Sequence, residues 1–176
     1  LNYLPKIIEK IKLDKLQNFV SFIKTIRSEY YKKVSQLTNK KFVIDKLPMN
    51  FRWIGFISKA FPEAKIIHIK RNPMAICWSN YRINFPDPGM DFSLSQKNTA
   101  KYYILYDDLI KFWSKKLKEK IIHISYESFV NDFEKETYNL IKKLGIKWEE
   151  NLKNFNKNIR PVQTASLLQV RGTIKK

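Results

Sequence analysis

The sequence predicts an α/β protein in which a parallel sheet is covered by helices on both faces, a three-layer α/β/α arrangement. The first observation is the alternation of short apolar runs, typical of buried strands, with longer segments of helical periodicity. The second is the composition: 44% of the 176 residues are hydrophobic and 14% are aromatic, enough for the core of one ordinary domain. So apolar a chain also excludes a disordered tail.

The predicted elements follow one another with recognisable boundaries. They are a helix over 16–38, a strand at 42–44, a helix over 50–61, a strand at 65–70, a helix from 73, a loop at 86–89, a helix over 94–117, a strand at 121–125 and a helix over 132–144. Asn50 and Asn72 are expected to be N-caps, and Gly145 is expected to end the last helix.

Polar side chains follow three of the predicted strands directly. They are Asp45 and Lys46, Arg71 and Asn72, and Tyr126 and Glu127. The carboxyl ends of parallel strands meet at one edge of a sheet, and ligands in such folds bind there. We therefore expect these side chains to converge on a site.

The chain is strongly basic, with 34 Lys and Arg residues against 16 Asp and Glu and a formal net charge of +18. Two interpretations stay open. One is a solvated lysine surface that reflects composition alone, and the other is a basic surface that attracts an anionic ligand. No pattern typical of a groove-reading DNA-binding motif occurs.

The same composition excludes several classes of protein and site. The single cysteine, Cys77, excludes a disulfide framework, and one cysteine with two distant histidines excludes a closed zinc site, so no metal is expected. The four glycines match neither the P-loop pattern nor a dinucleotide fingerprint. No apolar run reaches the roughly 18–20 residues of a membrane span, and there is no signal peptide, so a cytoplasmic protein is expected.

Arg71, at the turn before a predicted helix, is a candidate anion-binding residue. The N-terminus of that helix offers backbone amides and a positive dipole end, and the guanidinium adds a two-pronged donor. Ser79 lies on the side of the helix that also carries Asn72, and Arg82 is one turn beyond Ser79. A surface arginine and an ordinary helical serine would give the same spacing.

Lys46, Tyr126 and the two histidines are the remaining candidates. An ammonium group at a strand end can neutralise charge that develops on a leaving group, although a surface ion pair with Asp45 explains Lys46 equally well. Tyr126 can stack on a ligand or simply complete the sheet. His68 and His123 lie inside predicted strands, where we expect them to be structural.

Several segments in one order resemble the sulfotransferases that depend on 3′-phosphoadenosine-5′-phosphosulfate (PAPS). They are 45–51 (DKLPMNF), 61–68 (FPEAKIIH), 71–73 (RNP), 79–81 (SNY), 126–127 (YE), 160–166 (RPVQTAS) and 169–171 (QVR). The resemblance covers about residues 41–174. It is closest to bacterial sulfotransferase domains that often follow tetratricopeptide repeats, which are similar to tyrosylprotein sulfotransferases.

The resemblance implies a P-loop-like sulfotransferase fold that moves a sulfuryl group from PAPS to a hydroxyl or amine. Arg71 and Ser79 match the positions that hold the 3′ phosphate of PAPS, and Arg82 lies near a third contact. Tyr126 matches a further contact with the cofactor.

The resemblance also implies a catalytic residue and a covering loop. Lys46 matches the lysine that stabilises the transferring sulfonate and the leaving phosphate. Ser166, Gln169 and Arg171 fall in the C-terminal loop that closes over the nucleotide.

The sequence departs from the family pattern in its N-terminal part. Nothing matches the family's Gly-x-x-Arg-Ser-Gly-Thr segment, which binds the 5′ phosphosulfate, or the general base that follows it. We therefore expect a partial fold, truncated at its N-terminus, with weak nucleotide binding and little turnover. Its predicted parts are a helical segment over 1–40, a sulfotransferase core over 41–159 and a nucleotide-covering arm over 160–176.

Other functions stay open. A basic module can bind nucleic acid or acidic polysaccharide through its lysines without catalysis, and a nucleotide-dependent kinase can share the P-loop architecture. The acceptor, whether sugar, peptide or small molecule, is not determined. The loop 85–95 and the aromatic helix face over 102–113 are candidates for its pocket.

Overall fold

The computed structural model describes residues 3–10, 18–83, 85 and 89–157, with side chains as far as residue 153. It divides into two compact units. Unit 1 comprises residues 1–64 and 97–120, and unit 2 comprises residues 65–96 and 121–176.

Helices dominate the described chain and enclose two strands in sequence. The elements are α1 (Tyr3–Lys10), α2 (Phe19–Ser35), α3 (Ile54–Ala60), β1 (Ile66–Lys70), α4 (Pro73–Arg82), α5 (Gln96–Leu117), β2 (Ile121–Ser125), α6 (Tyr126–Asn131) and α7 (Phe133–Leu144). Short 3₁₀ turns occupy Pro48–Trp53, Asp91–Leu94, Lys118–Lys120 and Glu150–Lys157. The predicted α/β class with a parallel sheet is thus confirmed, whereas its three-layer arrangement stays a prediction.

A stripe of side chains at every fourth position of α2 builds the core of unit 1. Phe22, Ile26, Tyr30 and Val34 are buried, and they cluster with apolar residues of α1 and of the end of α3. Full burial of such a side chain contributes about 1.5–3 kcal/mol. The helix predicted over 16–38 is therefore confirmed, and its i, i+4 stripe anchors the unit.

The segment 42–44, predicted as a buried strand, is neither buried nor a strand. The side chains of Phe42, Val43 and Ile44 are 64%, 40% and 86% exposed. A strand requires hydrogen bonds from its backbone to a neighbouring strand, and in the described residues the sheet consists of β1 and β2. The prediction was wrong because an apolar run indicates hydrophobicity but not a pairing partner.

The helix predicted to begin at Asn50 begins in a different way. A 3₁₀ turn from Pro48 to Trp53 precedes α3, and Asn50 lies inside this turn instead of capping a helix. Its Nδ2 donates a hydrogen bond of 3.4 Å to Asp45 Oδ1. The fixed φ of Pro48 suits the first position of a helical turn, which moves the start toward the N-terminus.

β1 and β2 form a parallel two-stranded sheet in unit 2, as predicted, with Lys70 opposite Ser125 at its carboxyl end. His68 faces His123 across the ladder, with 2.9 Å between their Nδ1 atoms. One of these nitrogens carries the hydrogen and the other accepts it. Burial, with a smaller contribution from the charge of Lys70, lowers the pKa of His123. The histidines satisfy each other within the sheet, in agreement with the structural role expected for them.

Local capping signals placed the helix ends of unit 2 correctly. Asn72 caps α4, its Oδ1 accepting a hydrogen bond of 3.1 Å from a first-turn amide. Asp132 caps α7 in the same way, and Gly145 ends that helix at a φ of +69°, a left-handed conformation that glycine adopts readily. The short helix α6, capped by Ser125, is an addition to the predicted elements.

The helix predicted over 94–117 is confirmed as α5. Its expected inner face is half-buried and includes Tyr102, Tyr106, Leu109 and Trp113. No helix in the described part of the chain is long and apolar enough to cross a membrane.

A partly buried hydroxyl group connects the segment at Asp45 and Lys46 to the core of unit 1. Tyr30 donates a hydrogen bond of 3.1 Å to Asp45 Oδ2, so the irregular segment that carries Asp45 and Lys46 is attached to α2. Burial is the main cause that raises the pKa of Tyr30, and the neighbouring carboxylate of Asp45 adds to it. A buried tyrosine usually finds such a partner for its hydroxyl group.

We expect Tyr30→Phe to lower the free energy of unfolding by about 1.5–3 kcal/mol, because a partly buried hydrogen bond to a carboxylate is lost. Tyr31→Phe is a matched control: the Tyr31 hydroxyl donates a hydrogen bond of 2.6 Å to Glu63 in an exposed setting. Its loss is expected to cost no more than about 1 kcal/mol. Urea unfolding followed by circular dichroism measures both variants. Equal losses would contradict the importance given to burial of the Tyr30 hydroxyl.

Candidate functional site

The predicted site residues fall in different parts of the molecule. Unit 2 contains Arg71, Ser79, Arg82 and Tyr126, and unit 1 contains Lys46. The three predicted residues of the C-terminal arm lie outside the described residues: Ser166, Gln169 and Arg171.

The parallel sheet of unit 2 brings Arg71 and Tyr126 together. Arg71 directly follows Lys70, the last paired residue of β1, and Tyr126 directly follows Ser125, the last paired residue of β2. The Cζ atom of Arg71 lies 4.7 Å from the centroid of the Tyr126 ring, and both side chains are half-buried. This is a cation–π contact, in which the ring holds the guanidinium while its N–H groups keep their capacity to bind an anion.

Glu127 is the residue of this site to which the sequence assigned no role. Its Oε1 accepts a hydrogen bond of 2.7 Å from the backbone N–H of Asn72, and its Oε2 accepts one of 3.1 Å from the Ser125 hydroxyl. The bond from Asn72 is the main cause of its lowered pKa, and the charge of Arg71 contributes last. Its position after a strand was visible in the sequence, but its bonding partner lies 55 residues away along the chain.

The first turn of α4 offers an anion fewer amides than the sequence led us to expect. The N–H of Asn72 is bound by Glu127, and the N–H of Ala75 is bound by the Asn72 side chain. Pro73 has no N–H group. The amide of Met74 is then the one in the first turn that has no acceptor among the described residues. The Arg71 side chain, rather than the helix N-terminus, therefore offers most of the hydrogen-bond donors here.

Ser79 and Arg82 lie further along α4. Ser79 is half-buried and follows Asn72 by about two helical turns, which leaves the two residues on one side of the helix. Arg82 is the last residue of α4 and is exposed. The helix is continuous over this span, so the predicted spacing of the two side chains is retained.

Lys46 is exposed and lies in the irregular segment that Tyr30 anchors. The neighbouring carboxylate of Asp45 receives its hydrogen bonds from the Tyr30 hydroxyl and from Asn50 Nδ2. No ion pair joins Lys46 to a carboxylate of the described residues. The sequence left open an ion pair with Asp45, and the structure replaces it with this network, which leaves the ammonium group available.

Unit 1 also contains an apolar cleft of about 190 Å³. It is lined by Phe51, Arg52, Tyr102, Leu105, Tyr106 and Leu109. Two of its tyrosines belong to the helix face that the sequence indicated as an acceptor surface, and burial raises the pKa of Tyr106 to about 12. Two of the residues that line the cleft, Phe51 and Arg52, follow Lys46 closely in sequence.

Two known proteins are similar to the chain over most of its length. A protein of Aquifex aeolicus (strain VF5), described as an uncharacterized protein, is 30% identical over 155 residues, which are 86% of this chain and 20% of that protein. Sulfotransferase 1E1 of Cavia porcellus is 28% identical over 156 residues, which are 82% of this chain and 52% of that enzyme. The chain thus spans between a fifth and about half of the length of these relatives.

No solved structure matches the chain significantly. The family model described as the sulfotransferase family matches residues 6–150, which include the segment at Lys46, the Arg71 turn and the Tyr126–Glu127 step. The resemblance that the sequence motifs carried is thereby confirmed at the level of the family. The chain belongs to the sulfotransferase family.

Proposed function

We propose that the chain forms the 3′-phosphate half of a PAPS-dependent sulfotransferase site, together with one catalytic lysine. The observation that carries the proposal is the half-buried guanidinium of Arg71, held on the Tyr126 ring at the carboxyl end of a parallel sheet. This is the position at which α/β folds bind ligands, and a guanidinium matches a phosphate with two parallel hydrogen bonds.

In this proposal Arg71 and Ser79 bind the 3′ phosphate of PAPS, and Arg82 provides a third contact. The free face of the Tyr126 ring contacts the nucleotide. Ser166, Gln169 and Arg171 belong to an arm that covers it. The net charge of +18 raises the local concentration of such an anionic ligand without selecting it.

Lys46 is the proposed catalytic residue. Bound PAPS would supply an activated sulfuryl group. The oxygen or nitrogen of the acceptor would bond to its sulfur and lose its proton to solvent, as the bond between sulfur and the 5′-phosphate oxygen breaks. An ammonium group near that phosphate neutralises the charge that develops on it, and positioning supplies much of the remaining rate, as in phosphoryl transfer. The anchored segment around Asp45 supports this role because it fixes the backbone from which Lys46 extends.

The proposal also covers the wider architecture. The three-layer P-loop-like arrangement, a core over 41–159, a preceding helical segment and tetratricopeptide-repeat domain, and a cytoplasmic location remain parts of it. The acceptor class is open among sugars, peptides and small molecules. The apolar cleft beside Tyr102 and Tyr106 favours an acceptor with an apolar ring.

We expect Arg71→Ala to weaken binding of 3′,5′-bisphosphoadenosine and of 3′-AMP by roughly 10- to 100-fold, the effect of losing a charged hydrogen bond. Binding of 5′-AMP should not change, because this ligand lacks the 3′ phosphate. Calorimetric titration of the chain with the three nucleotides at moderate salt measures these affinities. Lys65→Ala is the matched control, since Lys65 is an exposed cation before β1.

Lys46→Ala is expected to show the opposite selectivity. It should weaken 3′,5′-bisphosphoadenosine and 5′-AMP by roughly tenfold and leave 3′-AMP unchanged, because Lys46 binds the 5′ phosphate in this proposal. Sulfate release from PAPS should fall by a larger factor than the affinity, since the charge develops in the transition state. Lys40→Ala, which removes another exposed lysine of unit 1, serves as the control.

The two titrations distinguish the proposal from its main alternative. The proposal is supported if Arg71→Ala weakens only the ligands that carry a 3′ phosphate and Lys46→Ala weakens only the ligands that carry a 5′ phosphate. Equal affinity for all three nucleotides, falling steeply with salt and unaffected by Arg71→Ala, would indicate a basic module that binds nucleic acid or acidic polysaccharide. The charge of +18 is the observation that favours this second function.

A further inference from the structure

Glu127 connects the two chain segments that carry Arg71 and Tyr126. Its carboxylate binds the backbone N–H of Asn72, the residue after Arg71, and it is itself the residue after Tyr126. The last pair of the ladder is Lys70 opposite Ser125. The bond from Asn72 to Glu127 therefore extends the connection of the two segments beyond the end of the sheet, on the far side of Arg71 and Tyr126.

This bond has the properties of a strong contact. Its length of 2.7 Å is at the short end of the range for N–H···O bonds, and an ionised acceptor strengthens it. The second oxygen of Glu127 accepts the hydroxyl of Ser125, whose Oγ in turn accepts the N–H of Ser128 and caps α6. Both oxygens are thus used, and the carboxylate is fixed in one orientation.

This bond constrains the backbone next to Arg71. An arginine side chain has many rotamers, and a single cation–π contact is weak compared with the entropy of ordering it. The guanidinium stays over the Tyr126 ring only if the backbones of residues 71 and 126 keep their separation. Beyond the ladder, the Asn72–Glu127 bond provides that constraint.

The charge of Glu127 by itself opposes an anion site. A carboxylate near Arg71 repels a phosphate and occupies an amide that a phosphate could bind. If Glu127 supports such a site, it does so by fixing the position of its neighbours. A neutral side chain of the same shape should therefore preserve that support.

We propose that Glu127 is a positioning residue of the 3′-phosphate site: it holds the Arg71 guanidinium on the Tyr126 ring by bonding the Asn72 amide. This inference rests on the proposed function, since the site it serves is the one proposed for PAPS. Glu127 does not touch the nucleotide in this account and acts through Arg71.

Three substitutions separate shape from charge. Glu127→Gln keeps an oxygen that can accept the Asn72 N–H and removes the charge. Glu127→Asp keeps the charge and shortens the reach, and Glu127→Ala removes both. Glu134→Ala is the matched control, because Glu134 is also a bonded, exposed carboxylate of unit 2, paired with Lys153 at 2.7 Å.

The first measurement needs no nucleotide. At 4.7 Å the ring of Tyr126 is expected to shift the NMR signals of the Arg71 Nε–H and Cδ protons. These signals are assigned by their loss in Arg71→Lys, and Tyr126→Leu gives the unshifted reference. We expect the shift to be retained in Glu127→Gln and Glu134→Ala and to collapse in Glu127→Asp and Glu127→Ala. If the alanine variant does not fold, the aspartate variant carries the test.

The second measurement titrates the same variants with 3′,5′-bisphosphoadenosine and 5′-AMP. We expect the aspartate and alanine variants to lose roughly fivefold or more in affinity for the bisphosphate and nothing for 5′-AMP. Glu127→Gln should bind the bisphosphate at least as tightly as the parent chain, because it keeps the geometry without the repulsive charge. This selectivity is a readout that a general loss of stability would not produce.

The outcomes are distinguishable. An unchanged ring shift in Glu127→Asp, or a bisphosphate affinity that falls as far in Glu127→Gln as in Glu127→Ala, overturns the positioning role, since Arg71 is then held without Glu127 or Glu127 acts by its charge. A parent chain that does not distinguish the bisphosphate from 5′-AMP, while its ring shift still depends on Glu127, overturns the proposed function and leaves the orientation of Arg71 as the only role of the bond.

Discussion

Parallel pairing of β1 with β2 is the constraint on which the unit 2 site depends. Parallel strands point their carboxyl ends the same way, so the residues that leave the two strands emerge side by side. Arg71 and Tyr126 meet for this reason, although more than fifty residues separate them in sequence. The bond between Asn72 and Glu127 connects the two segments beyond the ladder and adds a second constraint on the separation of residues 71 and 126.

The electrostatics of the chain combine a diffuse and a directed component. The net charge of +18 attracts any anion, and salt screens such attraction over about 10 Å at ordinary ionic strength. A guanidinium stacked on an aromatic ring is directional, because its donors lie in one plane. The first turn of α4 has two of its amides already bound, so the directional donors at this end of the sheet are mainly those of Arg71.

In unit 1, hydrogen bonds to Asp45 fix the segment that carries Lys46. A core tyrosine of α2 extends its hydroxyl to Asp45, and Asn50 binds the second oxygen of that carboxylate. Apolar packing therefore determines the position of a polar segment. Asp45 thus receives its hydrogen bonds from uncharged donors and not from the adjacent ammonium group of Lys46.

Local signals in the sequence determined the elements that carry their own boundaries, such as the capped ends of α4 and α7 and the apolar strands β1 and β2. They also placed Arg71 and Tyr126 at strand ends, and the motifs around them identified the family. Only the tertiary structure decided that 42–44 is exposed, that Asp45 binds Tyr30 and that Glu127 binds Asn72. The physical reason is common to all three: a pairing partner distant in sequence leaves no mark on the local pattern of hydrophobic and polar residues.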